Sequence, residues 1–267
     1  MTESGSAGGH DPAGANWTGL WTLYMREVRR FSKVYTQTLM APVVTTLLFL
    51  AVFTLALGGR ERMVGDMPFI DFLAPGLIIM AIAQNAFANT SSSLMVSKVQ
   101  GNIVDMLMPP LTASELTIGM AMGGVTRGLA VGCAVAVAMW IFAEIGIHDP
   151  LFIVFHAVMG ALMLSLLGII GAMWAEKFDQ ISAVTNFVIT PLAFLSGTFY
   201  SIQRLPELAQ TIAHVNPFFY MIDGFRYGVT GHTDTVPAIG LAVMFGADLA
   251  LWLLTARLFR TGYKLKP

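Results

Sequence analysis

The hydrophobic pattern divides the chain into one amphipathic helix and six long apolar runs. Over Trp17–Tyr35, apolar residues fall at Trp17, Leu20, Trp21, Tyr24, Val28, Phe31 and Tyr35, the spacing of one helical face. Arg26, Arg29, Arg30 and Lys33 lie mostly on the other face. Aromatic rings on one side and basic groups on the other describe a helix lying in a membrane interface. A soluble helix packed on a partner carries the same pattern, but here a span follows within a few residues. The apolar runs are Val34–Gly59, Phe72–Ser97, Leu116–Ala143, Pro150–Ala175, Gln180–Gln203 and Thr235–Ala256, interrupted by charge only at Arg127 and Asp248. A bilayer core needs about 20 apolar residues per helix. Spans are therefore predicted at about 38–58, 72–95, 116–142, 150–174, 181–200 and 236–257.

A seventh uncharged stretch, Leu208–Ile222, is predicted not to cross. It holds His214, Asn216 and Pro217, and Asp223 and Arg226 follow at once. Asn-Pro marks a turn, so the segment at about 203–230 reads as a re-entrant helical hairpin. Broken backbone at membrane depth is tolerated only when buried in protein or lining a water-filled cavity. The fold class expected is an all-α membrane protein, with residues 16–267 forming a single transmembrane domain. Residues 1–15, rich in Gly, Ser and Ala, read as a disordered tail. Basic residues set the orientation. The amphipathic helix carries four, and Arg257, Arg260, Lys264 and Lys266 mark the other end. Six spans put both ends on one side, so both termini are expected in the cytoplasm; Arg60 and Arg62 are a minority outside.

Composition removes the remaining classes. Hydrophobic residues make up 55% of the 267 and charged residues 12%, against about 25% charged in soluble domains. A net charge of −1 leaves no footprint for nucleic acid. The single Cys133 excludes a disulfide framework. The five histidines lack ligand spacing, so no metal site is expected, and no nucleophile elbow or Walker-type loop occurs. The chain is read as binding no cofactor, and any ATP-driven work must come from a separate subunit. Arg127 and Asp248 sit at matching depths in the third and last spans. Charges there demand partners; a direct ion pair and separate bonding to backbone, water or a cavity both stay open. The Gly119/Gly123, Gly124/Gly128 and Gly128/Gly132 pairs allow close helix approach. Between the second and third spans, Asn102–Leu107 forms a short helix closed by Pro109-Pro110, with Met106, Leu107 and Met108 as an apolar tip suited to docking.

Four segments carry a family resemblance. They are Pro191–Tyr200 with Leu205-Pro206, His214–Pro217 and Gly224–Gly228; Asn102–Asp105 with Met106–Pro110 and Glu115 to Gly119; Val125–Gly128; and Phe178-Asp179. Together they resemble the type-2 ABC exporter permeases of bacteria over roughly Trp17 to Arg260. Asp105 stands where the family usually has Glu, and Met106-Leu107 where it has a Leu pair. The resemblance implies a dimer of permeases, a second copy of this chain among them, with two ATPase subunits that bind ATP and Mg. It also implies a multi-pass protein in the bacterial inner membrane. The ATPase would be touched by Asn102, Asp105, Met106, Leu107, Pro109 and Glu115, and by the interfacial helix with Trp21, Arg26, Arg29 and Arg30. Cargo would be drug-like, glycan or lipid-like and amphipathic. The hairpin would cap the exit, with Leu205, His214, Phe218, Phe219 and Tyr220 as an aromatic gate beside Asn216, Pro217 and Arg226. Two other classes stay open: a secondary transporter using Asp248, and a membrane-embedded lipid-modifying enzyme.

Overall fold

In the computed structural model of the chain, residues 16–56, 63–64, 67–143 and 145–265 are described. The expected tail at 1–15, Arg60, Arg62 and Lys266 lie outside the described residues. Among the described residues, six helices are long and apolar enough to cross a membrane: α2 (Tyr35–Ala56), α3 (Phe69–Val99), α5 (Ala113–Met139), α6 (Pro150–Trp174), the Phe178–Leu195 helix and α11 (Pro237–Thr261). Between them lie α1 (Trp17–Ser32), the short α4 (Ile103–Leu107), and the pair α9 (Glu207–Val215) and α10 (Pro217–Thr230). The one strand pair among the described residues is a two-residue antiparallel ribbon, β1 (Met63–Val64) on β2 (Met67–Pro68).

Local chemistry sets the boundaries. Asn16 caps α1 by accepting the Gly19 N–H at 2.9 Å. A turn at Lys33–Val34 ends α1, so Tyr35 belongs to α2 and not to the amphipathic helix. Thr112 and Glu115 form a reciprocal capping box that starts α5. Asp149 caps α6 with Pro150 at its first position. The fifth span is three pieces, α7 (Phe178–Val184), a π-helical turn at Thr185–Ile189 and α8 (Thr190–Leu195). Pro191 carries no N–H to bond the carbonyl four residues back, which favours the irregular turn before it.

Helix α3 is the axis of the bundle: 83% of its most apolar stretch is buried, against 11% in α2 and 17% in Phe178–Leu195. Small residues of α5 let it lie close. A Cβ on Gly128 would stand 2.7 Å from the Ile82 carbonyl oxygen, and one on Gly119 would stand 2.7 Å from Leu23 of α1. The glycine series therefore seats α3 and α1 within one chain. At one end Lys98 Nζ donates to the carbonyls of Ala172, Met173 and Ala175 at 3.1, 2.9 and 2.6 Å, and Lys264 Nζ reaches Glu176 at 3.1 Å. This is the end at which the described residues begin, at Asn16, and finish, at Leu265. At the far end the His148 and Asp149 N–H groups donate to the Gly228 carbonyl at 2.9 and 2.8 Å.

Candidate functional site

At the end that holds Asn16 and Lys264, Glu115 joins two elements. Its carboxylate accepts the Asn16 N–H at 2.7 Å and the Thr112 N–H at 2.7 Å, so one residue pins the start of α1 to the start of α5. Asn16 Nδ2 also donates to the Pro110 carbonyl at 3.3 Å. The short α4 hangs beside this joint, with Asn102, Asp105 and Pro109 exposed. Met106 departs from the expected apolar tip, because it turns inward and is buried with Ile103. The apolar groups that face outward are Val104 and Met108. A five-residue helix has room for one inward face, and Met106, three residues after Ile103, shares it. The Leu107 side chain lies outside the described residues.

Helix α1 exposes Trp17, Trp21, Arg26 and Arg29. Its other contribution is a buried carboxylate that the sequence pattern did not single out. Glu27 is 1% exposed and packs against Gly123. It accepts from Arg26 at 3.0 Å, Arg30 at 3.3 Å and Ser93 Oγ at 2.8 Å. Arg30 goes on to donate to the Asn89 carbonyl at 2.6 Å, the Asn89 amide oxygen at 2.9 Å and Ser92 Oγ at 3.1 Å. A Glu one turn before Arg30 and opposite a glycine was the available signal. It marks an acid shielded by the helix it packs on.

Ser92 also borders a groove that runs along α3. Toward the Lys98 end, a cleft of about 590 Å³ is lined by Gln84, Asn85, Ser92, Ser182, Thr185 and Asn186, among others. It continues into a smaller section of about 270 Å³ that shares Gln84 and Asn85 and is walled by Thr45, Phe49, Met80 and Phe194. The π-helical turn supplies Thr185 and Asn186. Arg127 stands behind Asn85 and donates to its Oδ1 at 3.4 Å. The Arg127–Asp248 pair is not formed. Asp248 is buried on α11, and both its carboxylate oxygens lack a hydrogen-bond partner among the described residues. Equal depth did not bring them together because the Arg127 side chain turns toward α3 and Asn85.

The far end carries the hairpin. Asn216 caps α10, accepting the Phe218 N–H at 3.1 Å, and its Nδ2 donates to Ser196 Oγ at 2.8 Å, which ties the Asn216-Pro217 turn to the end of α8. Arg226 is 1% exposed. It donates to the carbonyls of Gly197 at 2.7 Å and Phe72 at 3.3 Å, and its guanidinium lies 3.8 Å from the Phe72 ring centre. It therefore satisfies the backbone freed where α8 ends. Asp223 accepts from Thr233 Oγ1 at 2.7 Å and the Asp234 N–H at 2.9 Å, and Asp234 accepts from Ser201 Oγ at 2.7 Å. Burial lowers Arg226 to about 10, so it stays charged at neutral pH, and burial pushes the Asp223 carboxyl up.

The residues expected to form an aromatic gate divide between the inside and the surface of the chain. Phe218, Phe219 and Tyr220 are buried within the chain, with Phe219 edge-on to His214 at 5.3 Å, and Tyr220 donating to the His214 carbonyl at 2.9 Å. Leu205 is half-buried and His214 exposed. The hairpin shows outward Leu208, Ile212 and Val215 of α9. The rings at the far end of the groove are Phe49, Phe194 and Phe199, the last two stacked at 4.9 Å.

The model of ABC-2 type transporters matches residues 18–230. The chain belongs to the ABC-2 type transporter permease family. It is 37% identical over 255 residues to "Inner membrane transport permease YadH" of Escherichia coli (strain K12), covering 94% of this chain and 98% of that one. It is also 25% identical over 230 residues to "Nodulation protein J" of Neorhizobium galegae, covering 85% of each. An ABC-2 permease is the non-catalytic transmembrane subunit of its transporter. That settles the class against an ion-driven carrier and a lipid-modifying enzyme.

Proposed function

We propose that this chain is the permease subunit of an ATP-driven exporter of the bacterial inner membrane, with both termini cytoplasmic. The groove along α3 is its cargo path. Two copies of the chain, each with an ATPase subunit that binds ATP and Mg, form the working unit. Helix α1 lies in the cytoplasmic interface of the bilayer. The exposed face of α4, with Asn102, Val104, Asp105 and Met108, docks on the ATPase. The α9–α10 hairpin closes the outer side, and Leu208, Ile212 and Val215 meet lipid or the second copy.

The observation that carries this reading is the continuity from the joint to the groove. Glu115 fixes α1 to the α5 end that follows α4, and the Glu27–Arg30 contacts fix α1 to Asn89, Ser92 and Ser93 of α3. Ser92 lines the groove itself. A push on α4 and α1 thus reaches the cargo path through packed and hydrogen-bonded groups. The names of the relatives support transport across an inner membrane. The test is co-purification with a candidate ATPase, followed by transport assays on Thr45→Trp, which places a bulky ring in the groove from an exposed position. Assembly with the ATPase and loss of transport are expected. Normal transport in Thr45→Trp would remove the groove as the path.

A further inference from the structure

The loop between α10 and α11 has a proton count that does not close with every carboxyl ionised. Thr233 Oγ1 lies 2.7 Å from Asp223 Oδ2 and 2.7 Å from the Thr235 carbonyl oxygen. A hydroxyl has one proton for these two oxygens, and a carbonyl can only accept. With Asp223 ionised, Thr233 serves one of them and sets lone pair against lone pair at the other. With Asp223 protonated, its Oδ2–H donates to Thr233 Oγ1, and the Thr233 proton goes to the Thr235 carbonyl. The remaining lone pair of Thr233 takes the Thr235 N–H at 3.2 Å, so the hydroxyl is then fully used. Asp223 Oδ1 keeps the Asp234 N–H at 2.9 Å in either form.

The charges agree with this count. Asp223 is 1% exposed, as is the Asp234 side chain, and one buried cation, Arg226, acts on both acids. Asp234 is built to be the ionised one. It accepts Ser201 Oγ at 2.7 Å and the Ile202 N–H at 3.1 Å, and His232 Nε2 stands 3.5 Å away. Burial by itself would raise its carboxyl, but the contacts with His232 and Ser201, the Arg226 charge and the Ile202 N–H outweigh it and hold the group below the ordinary range. Asp223 is pushed the other way, by burial first, with the Asp234 charge adding to it. The other ionisable groups around Asp223 are Tyr220 on α10, His156 of α6 against Gly224, and Asp71 in the first turn of α3. Two acids whose surroundings drive them apart divide one proton unequally.

We propose that Asp223 is a proton-binding site, and that its proton locks the loop that ties α10, the Ser201-Ile202 turn before α9 and the start of α11 together. Loss of the proton puts a second negative charge beside Asp234, and the loop opens. The share of the lock that Asp223 supplies is complete below the ordinary carboxylate range and is lost as pH rises through its raised range. The share of Asp234 is lost as pH falls through its lowered range, so the lock is tightest between the two. The site depends neither on the groove nor on which side of the membrane the hairpin faces.

The test uses the full-length permease in detergent, with amide hydrogen exchange over residues 231–236 read across pH and corrected for the intrinsic rate. Local opening should rise by up to about ten-fold per pH unit between the ordinary carboxylate range and the raised range of Asp223, the linkage of one proton, and then level off. Asp223→Asn is an uncharged isostere whose amide donates to Thr233 Oγ1; its loop should stay closed and flat with pH. A loop open at every pH in this variant would make Asp223 an ionised structural acceptor, and a rise like that of the unsubstituted protein would place the proton elsewhere; either overturns the proposal. Deprotonation of His232 would weaken its contact with Asp234 in the same pH direction. His232→Gln should therefore keep the rise, and loss of the rise there moves the site to His232 and overturns the proposal. Thr233→Val decides which group donates, and serves if Asp223→Asn does not fold. Removing the acceptor of the Asp223 proton should shift the rise to lower pH. An unmoved rise, or a shift to higher pH from loss of a donor to an ionised Asp223, overturns the proposal.

Discussion

Replacing Glu27 by Gln keeps the shape of the side chain and removes its charge from the joint between α1, α3 and α5. The cost can be bounded. Breaking a fully buried ion pair costs about 3–5 kcal/mol, while an exposed pair is worth about 0–1 kcal/mol. Glu27 is 1% exposed, but Arg26 and Arg30 are 42% and 33% exposed, so solvent screens half of each pair. The Ser93 hydrogen bond also falls from a charged to a neutral one, a loss of about 1 kcal/mol. The sum is about 2–3 kcal/mol, or roughly 30- to 150-fold in the equilibrium that holds α1 on the bundle. Amide hydrogen exchange reads that equilibrium directly through local opening. Exchange over residues 17–32 should quicken by about that factor in Glu27→Gln, with α6 unchanged. In a reconstituted complex, ATP hydrolysis should persist while transport falls. Exchange in α1 indistinguishable from the unsubstituted protein would refute the reasoning, since Glu27 would then be a spectator.

Four further outcomes follow from the same geometry. Arg226→Leu should cost about 3–5 kcal/mol in denaturant unfolding, because two carbonyls and Asp223 lose a buried cation; Arg226→Lys should recover part of this at most, lacking the planar fork. Phe219→Ala should lower stability by about 2–3 kcal/mol, less than the roughly 3–5 kcal/mol of water-soluble cores because lipid already excludes water. Phe199→Ala should cost about 1–3 kcal/mol, because the ring stacks on Phe53 and Phe194, and should alter transport; unaltered transport there with altered transport in a folded Phe219→Ala would make the hairpin rings the gate. Val104→Asp with Met108→Asp should reduce ATPase co-purification by about ten-fold or more, the effect of removing two apolar anchors, and an undiminished yield would make α4 a plain connector.

The residues show how much of this was legible beforehand. Span number and approximate ends follow from uncharged run length, because a bilayer imposes a local rule on composition that needs no partner. The Asn216-Pro217 turn and the glycine series of α5 are equally local, and each stands where its residues demand. What faces what is another matter. In a soluble helix the apolar face marks the core, but in a span or a membrane-depth hairpin both faces are apolar. The sequence therefore could not tell that Phe218–Tyr220 pack inward while Leu208, Ile212 and Val215 look out. Met106 and Val104 were ambiguous for the same reason on a helix of five residues. The charged groups depend on rotation as well as depth. Arg127 and Asp248 share a level, yet only the packing of α3, α5 and α11 decided that Arg127 meets Asn85 and Asp248 meets no hydrogen-bonding group among the described residues. Glu27 became a buried anchor because Gly123 admits it. The groove exists because the π-helical turn and α2 stand apart over α3, and that spacing is a property of three helices at once.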